Sequence, residues 1–348
     1  MDNDIQLLDC TLRDGGQGLE DSYYGGYANE KYDDVAKAGI ARNLMEAKVD
    51  IIELGSIKPT EDDRERFACY QNIEELALNM PQNKTGQLFA ALYTGPDTDL
   101  ADIPEWNQKL PQAVRVILRY SELQKSIDFC RGLSKKGYKV FMQPMLTMRY
   151  TDAEIQLIIQ SANDMNTYAL YLVDSYGYMK NEDVIKLAKT YDEGLIPSIR
   201  IGFHSHNNMN LAFSNVIAFL HSNLKHSVIV DSTLQGIGQG AGNLQTEVIT
   251  SYLNENFEKS YKYDYILEGC EIIDGISKDN LWGYSVTRLL PAINKTAYKY
   301  ALSMRNTYKL SYVEINRILS AIPEDLRHRY TIDNTKILLK NNGYEIEE

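Results

Sequence analysis

Two histidines in one short segment have the spacing of metal ligands. The segment IRIGFHSHNNMNLAFSN places His204 and His206 two residues apart, in a stretch that reads as a β-strand. Because alternate residues of a strand share a face, both imidazoles project to one side while Ser205 points to the other. A single histidine in a strand is more often a hydrogen-bonded core residue than a ligand. The pair therefore predicts half of a metal site at the carboxyl end of this strand.

A carboxylate from another strand end would complete that site. The segment LLDCTLRDGGQG reads as a buried strand that ends in Arg13, Asp14 and two glycines. Asp14 is the candidate third ligand of a 2-His-1-carboxylate set, which leaves positions open for water and substrate. An isolated aspartate would suit a cap or a turn equally well. Arg13 and Asp14 cannot both face inward along a continuing strand, so we expect a bend there, and Gly15 and Gly16 tolerate the backbone angles that it requires.

A glycine-rich loop follows the last predicted strand. In VIVDSTLQGIGQGAGNLQTE the glycines alternate from Gly236 to Gly242, just before a helix. Such a loop can bring backbone N–H groups and a helix N-terminus close to an anion. It is also compatible with a simple close turn between the strand and its helix. Asn243, at the end of the loop, can donate or accept a hydrogen bond there.

The elements that would position these residues alternate between strands and helices. Eight short aliphatic runs and the amphipathic stretches between them occupy roughly 250 residues, which matches a TIM (β/α)8 barrel in length and rhythm. A doubly wound open sheet is the alternative, but the GxGxxG that usually follows its first strand is absent. The predicted strands are Gln6–Leu12, Asp50–Leu54, Gln87–Tyr93, Val114–Arg119, Lys139–Pro144, Ala169–Val173, Arg200–His206 and Val228–Leu234. The predicted helices include Tyr32–Ala47, Glu122–Lys136, Asp152–Met165, Glu182–Tyr191, Leu211–Ser222 and Thr246–Phe257.

Two stretches fall outside this rhythm. GQGLEDSYYGGYANEKY is a long connection, rich in glycine and tyrosine, after the first strand. We expect it on the catalytic rim of the barrel, where long functional loops concentrate. Residues 261–348 show helical patterns with no strand between them. The predicted organisation is therefore a catalytic barrel over residues 1–260 and a small C-terminal helical domain over residues 261–348.

Composition excludes several classes of function. The chain has 36 basic and 48 acidic residues, a net charge of −12, and no basic run. Nucleic-acid binding is not expected, because that affinity rests on phosphate neutralisation by Lys and Arg. The N-terminus lacks a basic-then-apolar signal, and no segment is apolar for long enough to span a bilayer. The four cysteines are far apart without a CxxC pair, which argues against a disulfide framework and favours a cytoplasmic protein.

Three motifs, in this order and spacing, resemble those of the DRE-TIM metallolyases, the HMGL-like superfamily. They are DCTLRDGGQ, HSHNNMNLAFSN and GIGQGAGNLQTE, and the segments VDIIELGS and YLVDSYG fit as well. The resemblance covers about residues 5–255 and is closest to the 4-hydroxy-2-oxovalerate aldolases. It implies a TIM barrel with a divalent cation held by Asp14, His204 and His206, and Asn243 resembles an asparagine that reaches the metal in some members. Mn²⁺ or Mg²⁺ is favoured as the cation, with Zn²⁺ or Co²⁺ as alternatives.

Further residues at strand ends have expected roles beside that metal. Arg13 would neutralise a developing enolate oxygen, or would form only a salt bridge to a carboxylate. Glu53 and Asp174, at the ends of the second and sixth strands, would orient Arg13 or water, or would support the site structurally. Ser56, which ends VDIIELGS, belongs to the same group of substrate-binding or supporting candidates.

The proton-transfer group is left open by the sequence. The resembled aldolases have a histidine base just after Arg-Asp-Gly, where this chain has Gln17, and glutamine cannot act as a base. Tyr284, in DNLWGYSVTRLL, is expected at the start of an amphipathic helix over the barrel mouth, either as a proton relay or as a packing aromatic. The other candidates are a hydroxide on the metal and the rim tyrosines Tyr23, Tyr24 and Tyr27.

These residues predict a metal-dependent carbon–carbon lyase that makes or breaks a bond next to a 2-oxo acid. The CoA lyases carry a catalytic cysteine in the loop that here spans Gly236–Asn243, and this chain has none there. One alternative is a Claisen-type synthase that uses an acyl-CoA, and another is a barrel subunit whose main role is to bind a partner. In the resembled aldolases the C-terminal region docks an aldehyde dehydrogenase, so the expected partners are a second copy of the chain or a dehydrogenase, bound through the C-terminal helices.

Overall fold

Eight parallel strands form a closed barrel in the computed structural model, which describes residues 4–24, 31–58, 65–81, 86–277 and 282–344. The strands of the sheet, which are the eight of the barrel and the short β3, are β1 (Ile5–Asp9), β2 (Ile51–Ile57), β3 (Cys69–Tyr70), β4 (Leu88–Tyr93), β5 (Ala113–Leu118), β6 (Lys139–Pro144), β7 (Ala169–Asp174), β8 (Arg200–Ser205) and β9 (Val228–Ser232). The barrel closes because β1 pairs with β2 on one side and with β9 on the other. The two-residue strand β3 adds to the end of β2. The predicted TIM barrel is confirmed.

Small and aliphatic side chains fill the inside of the barrel. Leu8, Ala90, Ala113 and Ile229 are fully buried there, together with Phe141. The opposite faces of the same strands pack against the surrounding helices in a larger core. Strands that are buried on both faces read as continuous apolar runs, which is why the sequence pattern shows them clearly. Polar side chains enter the barrel at the carboxyl ends of the strands, and these ends carry the candidate site.

Helices surround the barrel and continue beyond its last strand. They are α1 (Gly16–Tyr24), α2 (Asp34–Glu46), α3 (Ile73–Ala77), α4 (Leu123–Lys135), α5 (Asp152–Met165), α6 (Asn181–Gly194), α7 (Ala212–Leu220), α8 (Thr246–Asn256), α9 (Tyr263–Ile276), α10 (Val286–Asn294), α11 (Lys299–Asn306), α12 (Tyr312–Ser320), α13 (Glu324–Arg327) and α14 (Ile332–Asn341). Thr151 caps α5 in a reciprocal capping box with Glu154, and Gly137, at φ 88°, follows the end of α4. Both helix boundaries agree with the sequence signals.

The first connection differs from the sequence expectation. Strand β1 ends at Asp9 rather than Leu12, and Thr11–Gly15 forms a π-helical turn that leads directly into α1. The expected rim loop is therefore partly helical. Gly16 has ordinary right-handed helical angles, but a Cβ there would lie 2.0 Å from the carbonyl oxygen of Phe67. Glycine is therefore required at position 16 because a side chain has no space there. The predicted reason, unusual backbone angles, does not apply to Gly16. Of the rim tyrosines, Tyr23 and Tyr24 belong to α1, whereas Tyr27 lies outside the described residues.

The C-terminal helices divide between two cores. Helix α9 packs against α2 and α8, and its Ile266 and Ile273 belong to the main core. The helices from Val286 onwards have a core of their own around Tyr300 and Ile315. The division expected at residue 260 stays a prediction, and this packing favours a division after α9. None of the described helices is long and apolar enough to cross a membrane.

Hydrogen bonds tie the C-terminal helices to the carboxyl end of the barrel. The hydroxyl of Tyr298 donates to the Asp21 carboxylate in α1, and Lys299 Nζ lies 2.6 Å from Asp21 Oδ1. Asn208 Nδ2, after β8, donates to the carbonyl of Arg288 in α10 at 3.1 Å. These contacts place α10 and α11 beside the mouth of the barrel.

Candidate active site

The three residues predicted as metal ligands lie together in the structure. Asp14, His204 and His206 each offer one ligand atom, and these atoms all lie within 4.8 Å of one another. The shortest approach, 3.6 Å, joins His206 Nε2 and Asp14 Oδ2. All three side chains are buried. The π-helical turn after β1 makes this possible, because it points both Arg13 and Asp14 into the barrel.

Hydrogen bonds orient both imidazoles towards Asp14. His204 Nδ1 donates to Asp231 Oδ2 at 2.9 Å, and His206 Nδ1 donates to the carbonyl oxygen of Asp174 at 3.0 Å. With the proton on Nδ1, each Nε2 presents a lone pair, which is the form that binds a metal. Burial lowers the pKa of His204 to about 4, so the ring is neutral at pH 7.

Two buried polar atoms at the site have no partner among the described residues. They are His206 Nε2 and Asn243 Oδ1. Asn243 is held in place by a hydrogen bond from its Nδ2 to Asp14 Oδ2. Orphaned buried acceptors are rare and indicate a missing partner. One carboxylate, two imidazoles and a nearby amide oxygen form a donor set that suits a divalent cation.

The glycine-rich loop makes room for this arrangement. A Cβ on Gly238 would lie 2.2 Å from Asn243 Nδ2 and 2.6 Å from Asp14 Oδ2. Gly242 has φ 87°, and a Cβ there would lie 1.8 Å from the carbonyl oxygen of Gly236. The loop is therefore a close turn whose glycines allow Asn243 to reach Asp14.

Arg13 connects Asp14 to the second strand. Its Nη1 donates to Asp14 Oδ1 at 2.6 Å and its Nε to Glu53 Oε2 at 2.8 Å. Burial by itself would raise the pKa of Asp14, but the Arg13 guanidinium and the contact with His206 hold that pKa well below its usual range. Asp14 is therefore an ionised ligand at neutral pH. Glu53 Oε1 has no partner among the described residues.

A second arginine, which the sequence analysis missed, extends the network to His204. Arg115 is fully buried, and its Nη1 donates to Glu53 Oε2 at 2.8 Å. Its Nη2 donates to Asp231, the carboxylate that orients His204. The Tyr171 hydroxyl donates to the other Asp231 oxygen at 3.0 Å. The sequence feature that could have indicated this network is the single charged residue in each of two apolar strands, Arg115 in AVRVIL and Asp231 in VIVDS.

Asp174 supports the site through its backbone. Its carboxylate accepts hydrogen bonds from the backbone N–H groups of Tyr178 at 3.0 Å and Met179 at 3.1 Å. Burial raises the pKa of this carboxyl group to about 6. Within the described residues it is Glu53, and not Asp174, that contacts Arg13. Asp174 shapes the turn after β7 and orients His206 with its carbonyl oxygen.

Gln17 and Ser56 lie next to Arg13, and Gln17 shares Nη1 of Arg13 with Asp14. Arg13 Nη1 donates to Gln17 Oε1, and Gln17 Nε2 donates to Ser56 Oγ, both at 3.4 Å. The Gln17 carbonyl oxygen is bonded to Arg13 and one N–H of its amide to Ser56, which leaves the second N–H as a donor. Gln17 therefore offers a hydrogen-bond donor where the resembled enzymes have a base.

Tyr284 lies between Trp282 and helix α10 and is not buried. It precedes α10, which begins at Val286 with Ser285 as its N-cap, so the expectation that Tyr284 starts this helix was wrong. Trp282, two residues earlier, donates from Nε1 to the Gly238 carbonyl and so covers the glycine-rich loop. The Tyr284 side chain is 55% exposed. Its role in proton transfer stays a prediction.

Cys10 offers a second possible ligand set with His204 and Asp231. Its Sγ donates to the Ser232 carbonyl at 3.4 Å, and burial raises the thiol pKa well above its ordinary value. A neutral thiol is a poor ligand because the thiolate is the binding form. His204 Nδ1 and Asp231 are also already bonded to each other. The Asp14 set fits a cation better.

Known proteins resemble this chain in both sequence and fold. The 4-hydroxy-2-oxovalerate aldolase of Thermomicrobium roseum is 37% identical over 258 residues, covering 72% of this chain and 67% of that protein. The aldolase of the same name from Pelotomaculum thermopropionicum is 30% identical over 258 residues, covering 72% and 70%.

Solved structures share the barrel at lower identity. The N-terminal domain of a Bacteroides vulgatus protein assigned as an aldolase superposes with a TM-score of 0.73 at 21% identity, covering 90% of this chain and 99% of that one. The hydroxymethylglutaryl-CoA lyase of Pseudomonas aeruginosa has a TM-score of 0.62 at 16% identity, covering 80% and 94%. A sequence model of the HMGL-like family matches residues 4–268. The chain belongs to the HMGL-like family and is a carbon–carbon lyase of the aldolase and lyase type.

Proposed function

We propose that this protein is a divalent-metal-dependent aldolase that makes or breaks a C–C bond adjacent to a 2-oxo acid, in the manner of its relatives named 4-hydroxy-2-oxovalerate aldolase. The observation that carries the proposal is the buried set of Asp14, His204 and His206, whose ligand atoms lie within 4.8 Å of one another while the Nδ1 of each imidazole is hydrogen-bonded elsewhere. Mn²⁺ or Mg²⁺ is the proposed cation, because one carboxylate and the Asn243 amide oxygen add oxygen donors to the two imidazoles.

A bound divalent cation would supply Lewis-acid stabilisation of the negative charge that develops on the 2-oxo group. The residues of the chain supply the rest. Arg13 carries a permanent positive charge beside Asp14, where it can stabilise an enolate oxygen through N–H donors. Gln17 can donate a hydrogen bond to the substrate from the second N–H of its amide group. We propose that Tyr284, which is exposed and lies between the cavity-lining residues Trp282 and Ser285, relays the hydroxyl proton between substrate and solvent.

The C-terminal helices are the proposed contact for a second copy of the chain or for a dehydrogenase. Val313 and Ile332, on α12 and α14, are 68% and 62% exposed, and Tyr312 is 41% exposed. Large exposed side chains of this kind are typical of interaction sites when they are grouped. Size-exclusion chromatography with light scattering tests self-association directly.

Exchange of the pyruvate methyl protons with deuterium tests the proposed activity without any choice of second substrate. We expect NMR to show exchange that requires added Mn²⁺ or Mg²⁺ and that is lost in Asp14→Asn. Retro-aldol cleavage of 4-hydroxy-2-oxo acids, followed as pyruvate release, tests the C–C bond step. The absence of metal-dependent exchange would contradict the proposal.

CoA thioesters are not expected to be substrates. The loop Gly236–Asn243 has no cysteine, and the chain carries a net charge of −12 without a basic run to receive the CoA phosphates. Thiol release from acetyl-CoA in the presence of 2-oxo acids measures the alternative. Condensation under these conditions would favour the Claisen-type synthase instead.

A further inference from the structure

A large cavity lies between the metal ligands and the C-terminal helices. Its volume is about 1060 Å³, and its floor includes Gln17, Ser56 and Gly238. These residues adjoin the Arg13–Asp14 pair, since Gln17 bonds to Arg13 and Gly238 lies against Asp14. Pockets of about 300–1,000 Å³ hold drug-sized ligands. The cavity is therefore much larger than pyruvate and a two-carbon aldehyde require.

Neutral polar side chains from the C-terminal helices line much of this cavity. Thr287, Ser303, Asn306 and Thr307 lie on its far side, and Thr94 lies on the barrel side. None of these side chains forms a hydrogen bond to another described residue. Hydroxyl and amide groups can both donate and accept, so they can satisfy the hydroxyls of a ligand in either role.

The charged side chains in the lining largely compensate one another. Arg119 is paired with Asp97 and Glu122, and Lys299 is paired with Asp21. Glu20, Lys58 and Arg288 also line the cavity, so its four cations are matched by two carboxylates of the lining and by the two that hold Arg119 from outside it. A lining with this balance, in a chain of net charge −12, favours a neutral ligand over a multiply charged anion.

Aromatic surfaces complete the lining. Trp282, Tyr298 and Tyr330 all border the cavity. Their rings offer apolar faces next to polar edges, which suits a ligand whose C–H groups and hydroxyls alternate. A polyhydroxylated carbon chain has this character, whereas acetaldehyde would leave most of the polar lining without partners.

We propose that the aldehyde partner in the C–C bond step is a neutral, polyhydroxylated aldehyde of four or more carbons, bound in this cavity. The inference rests on the aldolase function proposed above. In the condensation direction, pyruvate loses a methyl proton, its methyl carbon bonds to the aldehyde carbon, and the aldehyde oxygen gains a proton to become a hydroxyl group. The product is a polyhydroxylated 4-hydroxy-2-oxo acid. No oxidant or reductant is required.

The test compares aldehydes with pyruvate and Mn²⁺ as constant components. Product formation is followed by NMR for acetaldehyde, glyceraldehyde, erythrose and erythrose 4-phosphate. We expect kcat/KM for erythrose to exceed that for acetaldehyde by at least tenfold, because a site built to bond hydroxyl groups rejects an analogue that lacks them. The phosphorylated aldehyde should be no better than erythrose.

Two variants locate the effect in the cavity. Ser303→Ala and Thr287→Val should each lower the ratio of kcat/KM for erythrose to that for acetaldehyde by about three- to tenfold. Ser134→Ala is the matched control, because Ser134 lies in α4 and does not line the cavity. The ratio is measured within one preparation, so a variant that is partly unfolded does not disturb it.

A second readout requires no turnover. Saturation-transfer NMR with erythritol on the metal-free protein should show binding that weakens in Ser303→Ala and persists in Ser134→Ala. A preference for acetaldehyde, or a tenfold preference for erythrose 4-phosphate, would overturn the inference while the methyl exchange of pyruvate still supports the aldolase. Absence of that exchange would contradict the proposed function and, with it, the inference.

Discussion

The two sides of the candidate metal site differ in how their polar groups are paired. Within the barrel, Arg13 and Arg115 are buried and bonded to the carboxylates Glu53 on β2 and Asp231 on β9. In the cavity above, Thr287 and Ser303 have hydroxyl groups without a bond to any described residue. Apart from Glu53 Oε1, the side-chain groups of this arginine–carboxylate network are paired, and a paired buried network holds one arrangement of its members, whereas unpaired hydroxyls are available to a ligand. The barrel residues are thus suited to hold the catalytic groups in one position, and the C-terminal helices are suited to select the substrate.

The largest expected effect is loss of a metal ligand on the barrel side. His206→Ala removes an Nε2 that has no partner among the described residues, and kcat/KM should fall on the order of 10³-fold or more. Mn²⁺ titration followed by electron paramagnetic resonance should show weaker binding. His221→Ala is the control, since His221 bonds to Tyr252 outside the site. A Mn²⁺-soaked crystal without an anomalous peak between Asp14, His204 and His206 would refute the assignment.

Arg115→Leu tests whether burial distinguishes the barrel network from the cavity surface. The variant leaves the buried Glu53 and Asp231 carboxylates without this cation, and the free energy of unfolding should fall by about 3–5 kcal/mol. Arg119→Leu is the matched control, because Arg119 also pairs with two carboxylates but is 29% exposed. Its cost should be under about 1 kcal/mol. If urea unfolding gave equal losses of unfolding free energy for the two variants, burial would not distinguish the barrel network from the cavity surface.

Arg13→Lys tests the chemistry assigned to the barrel side. Lysine keeps the charge but not the planar donor geometry that reaches Asp14 and Glu53 together. We expect kcat to fall about 10²- to 10³-fold, while Mn²⁺ affinity stays close to that of the wild type. Normal turnover of the variant would show that Arg13 only forms a structural salt bridge.

Asp9→Asn tests the pH dependence of the buried layer between β1 and α8, where the Asp9 carboxylate accepts a hydrogen bond from Thr246. Burial raises the pKa of its carboxyl group from 3.8 to about 6 in the folded protein. Between these values the folded state binds more protons than the unfolded state, so stability falls as the pH rises from about 4 to about 6. The full change from this group is about 3 kcal/mol. Urea unfolding of Asp9→Asn at pH 4–7 should lack that slope, and an unchanged slope would exclude Asp9 as its source.

Tyr284→Phe gives the smallest expected effect and probes the segment between the cavity-lining residues Trp282 and Ser285. The change removes only the hydroxyl, so a proton-relay role predicts a loss of about 10²-fold in kcat. Because the ring is 55% exposed, the melting temperature should stay close to that of the wild type. Normal turnover with normal melting would show that the hydroxyl is irrelevant, and early melting with normal kcat would make Tyr284 a packing residue.

The sequence predicted the parts of the site that follow from local periodicity. The alternation along β8 identified His204 and His206 as neighbours on one face, and the barrel rhythm brought Asp14 to the same end. It did not predict the π-helical turn Thr11–Gly15, because the close approach of Phe67 to Gly16 comes from a distant segment.

The sequence did not indicate Arg115, Asp231 and Trp282 for the same physical reason, which is that their contacts are long-range. Arg115 and Asp231 are isolated charges in apolar strands, and their pairing spans 116 positions of the chain. No local sequence pattern predicts a contact between residues so far apart in the chain. Trp282 likewise packs over the glycine-rich loop through a bond to Gly238 that spans 44 positions. Charged residues inside apolar strand patterns are the signal that would have pointed to the network.

The bond between Tyr298 and Asp21 has a consequence for synthesis of the chain. It joins positions 277 residues apart, and helix α1, which carries Asp21, begins two residues after Asp14. At about 5–20 residues per second, the ribosome makes Asp21 roughly 15–55 seconds before Tyr298. His206, the last of the three metal ligands, precedes Tyr298 by 92 residues, which is roughly 5–18 seconds of synthesis. During that interval α1 lacks its contacts with α11, although all three metal ligands have been made. The nascent protein therefore passes through a period in which all its metal-binding residues are present but the cavity-lining residues from Tyr298 onwards are not.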